Sequence, residues 1–199
     1  FYMPEMAYSD DVAKIVKNLG FEWIILDSIN YKDKVNGGAR QGELQSERGS
    51  PGGKGGLGHK VEDNILYIHK KTKLKVVFRN RTISKAYPAE VIYKKLKKNE
   101  DSQTIITGTD GEIYGHFHED WQGHIEKVLA NKNLYVFTVS QYIKSLDKEK
   151  EINLRSASWE SLPTELSKKI PFALWDDPKN KIHKSLWKLV DLATKLVNK

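Results

Sequence analysis

The chain has 199 residues, 39% of them hydrophobic and 30% charged, which is enough for one domain with a core of its own. It has no cysteine, which excludes a disulfide framework and a thiolate metal site and fits a reducing, cytoplasmic compartment. The net charge of +7 raises nucleic acid and anionic membranes as partners, but the lysines are spread along the chain. The densest cluster, Lys94-Lys95-Leu96-Lys97-Lys98, falls at an expected helix C-terminus, where the dipole favours cations, and no nucleic-acid motif accompanies it. No apolar run has the length of a signal or membrane segment. We therefore expect neither nucleic acid nor a membrane as partner, and bulk properties leave the oligomeric state open.

In chain order, Phe1 to Ser9 opens apolar, then gives Pro4 and a carboxylate, Glu5, just ahead of a helix cap. This reads as a strand end entering a loop, where a lone acid is either solvated or part of a site. A helix follows from Asp10 to Asn18, with Ser9 as N-cap, acids in the first turn and Gly20 as stop. Phe21 to Asp27 reads as a buried strand, and helix, glycine and strand in that order make an α/β unit with parallel pairing. Asp27, just past the strand, either positions a ligand or caps the following turn.

Residues 36–60 change composition sharply, and Gly49-Ser50-Pro51-Gly52-Gly53-Lys54-Gly55-Gly56 buries almost nothing. A phosphate-cradling loop is disfavoured there, because Lys54 is not followed by Ser or Thr and no helix follows directly; a flexible insertion forming a lid is the leading expectation. Asn64 to Lys70 and Leu74 to Phe78 are β-rich and separated by Lys71-Thr72, as in a hairpin. Arg79 and Arg81 then flank the start of a helical region. Within it, Val91, Ile92 and Leu96 lie at helical spacing as core packing over Ala89 to Lys98.

Thr104 to Thr107 is β-branched and reads as a buried strand, and Asp120 to Asn131 reads as a helix. Asp110 therefore sits at a strand's C-terminal end, where ligands bind in parallel α/β folds; equally, Asp110-Gly111 is a common turn. His116, His118 and His124 follow, and alternating histidines at such an end are also a candidate zinc site. Leu134 to Val139 reads as another strand, with Ser140 capping a helix to Leu146, and Lys148-Glu149-Lys150-Glu151 as a charged break. Ile182, Leu186, Leu189, Val190, Ala193 and Leu196 form one apolar helix face, which should pack on the folded body.

Three segments carry a resemblance. Tyr2-Met3-Pro4-Glu5-Met6-Ala7-Tyr8 resembles the Trp-Leu-Pro-Glu-(Cys/Met)-Ala-Tyr segment of glycoside hydrolase family 57, the retaining α-glucan amylases, branching enzymes and 4-α-glucanotransferases. Phe78-Arg79-Asn80-Arg81-Thr82-Ile83-Ser84 is similar to that family's Phe-Arg-Asp-Arg-x-Leu-Ser, and Asp110-Gly111-Glu112-Ile113-Tyr114-Gly115-His116-Phe117 to its Asp-(Ala/Gly)-Glu-Leu-Phe-Gly-His-Trp. More loosely, Ser156-Ala157-Ser158-Trp159 is similar to its Gly-Ser-Trp segment, and Trp175 to Asn180 to the acidic run before its closing helix.

The resemblance implies Glu5 as nucleophile and Asp110 as general acid/base, a pair that in retaining glycosidases lies about 5 to 5.5 Å apart. It favours Arg79 and His116 as contacts to a sugar hydroxyl or a catalytic carboxylate and Trp159 as a sugar-stacking ring; by position and aromatic face alone, Asp27 and Trp121 are further candidate substrate contacts, with helix packing as the alternative for both tryptophans and as the leading expectation for Trp175. The mechanism requires no cofactor and no metal, and the partner is an α-glucan or other oligosaccharide. The implied fold is α/β, the second half of a distorted (β/α)7 barrel, because the family's early strands and their His-containing motif have no counterpart here. Residues 1–150 would form the barrel portion and 151–199 a helical extension packed on it. Two alternatives stay open: a metal-dependent polysaccharide deacetylase, and a non-catalytic carbohydrate-binding barrel portion.

Overall fold

A computed structural model describes residues 1–32, 61–98, 104–114, 116, 119–120 and 122–198. The glycine-rich stretch 36–60, for which a lid is expected, lies outside them, as do His118 and Trp121.

Among the described residues one mixed sheet contains β1 (Trp23–Asp27), β2 (Tyr31–Lys32), β3 (Ile65–His69), β4 (Lys75–Arg79) and β5 (Lys148–Leu154), in the order β1-β4-β3-β5-β2. β1 runs parallel to β4 with Asp27 opposite Arg79, and β3 and β4 form the expected hairpin. β3 is parallel to β5, and β2 antiparallel to it. With its helices the sheet forms a half-barrel of α/β type. These helices are α1 (Asp10–Asn18), α2 (Arg81–Lys85), α3 (Pro88–Lys97), α4 (His124–Leu129), α5 (Val139–Lys144), α6 (Pro163–Ser167), α7 (Ala173–Asp176) and α8 (Lys181–Val197).

Strand alternation divides the core between the two faces of the sheet. Val76 and Phe78 of β4 face one side, with Ile24, Leu26, Tyr67, Ile152 and the Ala13/Val16 stripe of α1. There Tyr31, Tyr67 and Phe78 meet edge-on, with centroids 5.4–5.8 Å apart. Val77 faces the other side, with Leu66 and Ile143 of α5. Helix α1 begins where its cap dictates: the Ser9 hydroxyl accepts the Val12 N–H at 3.2 Å, and Gly20 takes φ +86° beyond its end.

Several expectations need correction. Lys148 to Glu151 is no break but the first half of β5, a charged and exposed stretch whose backbone is nevertheless fully laddered to β3. Thr104 to Thr107 is irregular, and its contact with the sheet end is the Asn80 N–H to Ile106 carbonyl bond at 2.7 Å, too little for a strand. Leu134 to Thr138 is irregular as well, with Tyr135, Val136 and Phe137 exposed, and no strand among the described residues pairs it. Thr138 rather than Ser140 caps α5, through a capping box in which its hydroxyl accepts the Gln141 N–H and the Gln141 side chain accepts the Thr138 N–H. Helix α4 is shorter than expected, since Gly123 at φ +60° starts it and the Asp120 carboxylate takes the His124 and Ile125 N–H groups at 2.8 and 2.9 Å. Val91, Ile92 and Leu96 of α3 are only half-buried. Helix α8 has the expected amphipathic pattern but buries none of its residues, and Ile182, Leu186, Leu189, Val190 and Leu196 are exposed.

Candidate active site

The site grows from the shared C-terminal end of β1 and β4. Ahead of α1 the chain runs alongside β1, with Tyr2 bridging parallel to Ile25 and the Phe1 carbonyl accepting the Ile25 N–H at 3.0 Å. That register carries Glu5 just past the strand end. There Pro4 to Met6 make one 3₁₀ turn, and both Glu5 (φ 57°) and Met6 (φ 43°) adopt the left-handed region. For residues with a Cβ this costs on the order of 1 kcal/mol each. Full burial of Met6, the Met6 N–H to Met3 carbonyl bond at 2.9 Å and the Trp159 N–H to Glu5 carbonyl bond at 3.1 Å offset it. The kink turns the Glu5 side chain outward, where it is exposed.

Behind Glu5 lies a buried ionic frame. Asp27, with no exposed surface, accepts Arg79 Nε–H at 2.5 Å on one oxygen; on the other it accepts Arg81 Nη1–H at 2.9 Å and the Ile29 N–H at 3.0 Å. Both arginines then reach outward. Arg79 donates to the Gly108 carbonyl and sits 4.5 Å from the centroid of the Trp159 ring, while Arg81 donates to the Trp159 carbonyl at 2.7 Å. Trp159 in turn donates its indole N–H to Glu5 Oε2 at 2.6 Å. A single buried carboxylate thus anchors the surroundings of Glu5 through two guanidinium groups.

Asp110 stands at the head of a second 3₁₀ turn, Gly111–Ile113, exposed and making no capping bond with its side chain. The irregular segment before it is held to the site at Gly108, whose N–H donates to the Ser84 hydroxyl at 3.2 Å. Gly108 lies in close approach to the residue beside Glu5: a Cβ there would come within 2.8 Å of the Met6 Cε, so the Met6 side-chain end would have to shift. Burial pushes the Tyr2 phenol above its usual value, the Asp110 carboxylate raises it further, and Arg79 and Glu5 act in opposite directions on it.

The expected site residues separate accordingly. Glu5 and Asp110 are both exposed, and their segments are linked through Arg79, which donates to the Gly108 carbonyl and covers the Trp159 ring whose indole holds Glu5. Asp27 and Arg79, expected to touch substrate, form the buried frame, in which Arg79 gives Nε–H to Asp27 and Nη1–H to the Gly108 carbonyl. Trp159, expected as a sugar platform, is 4% exposed, with the Arg79 guanidinium 4.5 Å from its ring centroid. Trp175 stacks on Phe172 with centroids 5.6 Å apart, and its carbonyl accepts the Trp187 indole N–H, which is packing. His116 is exposed on the Asp110 segment. His124 is buried against Tyr93 and 3.4 Å from Asp120, and among the described residues no three His, Asp or Glu side chains converge as a metal site.

Two contributors escape the sequence reading. Tyr2 stands where the resemblance has tryptophan and carries no polar signal of its own. Gly108 lies in a threonine-rich run whose close approach to Met6 only packing reveals.

Among curated protein sequences, none is significantly similar to this chain. Among solved structures, 4-alpha-glucanotransferase from Thermococcus litoralis aligns with a TM-score of 0.51 and 15% identity over 98% of this chain, a likeness of fold. The chain spans 26% of that protein's length. A family description matches residues 1–155, which hold the Glu5, Arg79 and Asp110 segments together. With the match covering most of its 199 residues, the chain belongs to glycosyl hydrolase family 57.

Proposed function

We propose that the chain carries the catalytic pair of a retaining enzyme that cleaves or transfers α-glucan linkages through a covalent glycosyl-enzyme. The supporting observation is that Arg79 ties the two segments together: it donates to the Gly108 carbonyl, two residues before Asp110, and lies over Trp159, whose indole N–H holds the exposed Glu5 carboxylate. Membership of a glycosyl hydrolase family, and the fold likeness to a 4-alpha-glucanotransferase, make an α-glucan the natural substrate class.

Glu5 attacks the anomeric carbon while Asp110 protonates the departing glycosidic oxygen. Asp110 then removes a proton from water or from a sugar hydroxyl, which attacks the same carbon and releases Glu5. Hydrolysis and transfer differ only in that second acceptor. The unequal settings suit the roles: the nucleophile is held, and the proton-transfer group faces solvent, from which acceptors arrive. Nothing in this sequence of steps uses a cofactor, and the cysteine-free composition fits a cytoplasmic setting.

The test is turnover of maltooligosaccharides with NMR readout of the first product's anomeric configuration. Retention of the α-configuration, and loss of turnover by roughly four or more orders of magnitude in Glu5→Gln, are expected. Inversion, or a fully active Glu5→Gln, contradicts the proposal.

A further inference from the structure

Among the groups around Glu5, Trp159 is the one that grips the residue at both ends. Its indole Nε1–H donates to Oε2 at 2.6 Å, and its main-chain N–H donates to the Glu5 carbonyl at 3.1 Å. Trp159 has little freedom to swing: Arg79 covers its ring, Arg81 holds its carbonyl at 2.7 Å, and both arginines are fixed on buried Asp27. So much restraint on a tryptophan that is only 4% exposed exceeds what a sugar platform needs, and it would hinder one.

We infer that Trp159 is the positioning residue of the nucleophile: its indole N–H occupies Oε2, leaves Oε1 to attack, and favours return of charge to Glu5 when the glycosyl-enzyme breaks down. The inference rests on the double displacement proposed above. In the first step Oε1 bonds to the anomeric carbon as the glycosidic C–O bond breaks and Asp110 gives its proton to the leaving oxygen. Glu5 is then an ester, a weaker hydrogen-bond acceptor than a carboxylate. In the second step the acceptor's oxygen bonds to the anomeric carbon, its proton goes to Asp110, and the electron pair of the ester C–O bond returns to Glu5. A fixed N–H donor therefore gains strength as the ester breaks, and its loss should slow breakdown more than formation.

Two replacements in the full chain test this. Trp159→Phe keeps a ring beneath Arg79 without the N–H; replacing Trp159 with benzothienylalanine keeps indole size and shape and puts sulfur in place of the N–H, which guards against loss of fold. Both should lower kcat on maltooligosaccharide by roughly ten- to a hundredfold. KM should not rise, and intact-protein mass spectrometry during turnover should show glycosyl-enzyme accumulating. A raised KM with kcat preserved would make Trp159 a substrate platform and overturn the inference, as would unchanged kinetics in the benzothienylalanine protein. Absence of turnover in the wild type would overturn the double-displacement reading itself, a failure visible before any variant is compared.

Discussion

The two carboxylates at the rim are held in opposite ways. Glu5 sits on a strained turn, with its carboxylate bonded to a buried indole and its surroundings fixed on Asp27. Asp110 heads a short turn, is exposed and makes no capping bond, and its segment is tied to the site two residues earlier, at Gly108. The difference matches the chemistry each would do. A nucleophile gains from being held in one orientation, since positioning contributes more to its reactivity than any change of basicity. An acid/base that must release a proton to one molecule and take one from the next gains from access.

The largest expected effect lies in the frame on the Glu5 side. Asp27→Ala leaves Arg79 and Arg81 without their shared buried anion, and breaking such a network by removing one partner costs about 3 to 5 kcal/mol. Chemical denaturation should show that loss, and a variant of wild-type stability would mean that the ionic frame is not what holds the Glu5 side. On the other side, Asp110→Asn should leave stability nearly unchanged and lower turnover of maltooligosaccharide by about 10²- to 10⁴-fold. With an activated glucosyl fluoride, whose leaving group needs no proton, its glycosylation step should be nearly spared. An equal loss on both substrates would make Asp110 something other than the acid.

A smaller effect sharpens the comparison through pH. From Glu5 the chain runs into buried Tyr8, whose hydroxyl meets Asp10 at 3.2 Å and His69 Nε2 at 3.3 Å, while His69 Nδ1 pairs with Thr72 at 2.8 Å. Burial lowers the His69 pKa, against the opposing pull of Asp10, so the unfolded chain protonates more readily than the folded one. Stability held by neutral His69 is therefore full above about pH 6.5 and is lost as the pH falls below it. For Asp10, burial raises the carboxyl, but Lys71, the Tyr8 hydroxyl and His69 outweigh it and lower it overall; that contribution is lost only in more acid solution, below the usual carboxylate value. Thermal unfolding followed from pH 7 to 5 should show a falling midpoint, and His69→Gln should flatten that slope. A slope unchanged in His69→Gln would assign the effect to other groups.

What could be read from the sequence was what local chemistry dictates. Ser9, the acids after it and Gly20 delimit α1; the alternation around Lys71-Thr72 gives the β3–β4 hairpin; and the segments around Glu5, Arg79 and Asp110 carry the family. Two misreadings share one cause, that apolar content is not burial and charge is not its absence. Tyr135 to Phe137 look like a strand but are exposed, with no strand partner among the described residues, whereas Lys148 to Glu151 look like a break but are laddered into the sheet through their backbone. Within the site, Asp27, Arg79 and Trp159 were legible as important residues, yet their roles were not, because a buried ion pair and a sugar contact use the same side chains. The register of Asp27 against Arg79 and the 2.6 Å bond from Trp159 to Glu5 are contacts that local sequence does not carry.

The central claim is that Glu5 forms the covalent intermediate, and it is tested most directly in Asp110→Asn treated with the activated glucosyl fluoride. That protein can be glycosylated but lacks the base for release, so digestion and mass spectrometry should place a glucosyl group on the peptide containing Glu5, at the Glu5 carboxylate. Fluoride release with no adduct on Glu5, or an adduct on another residue, would contradict the account.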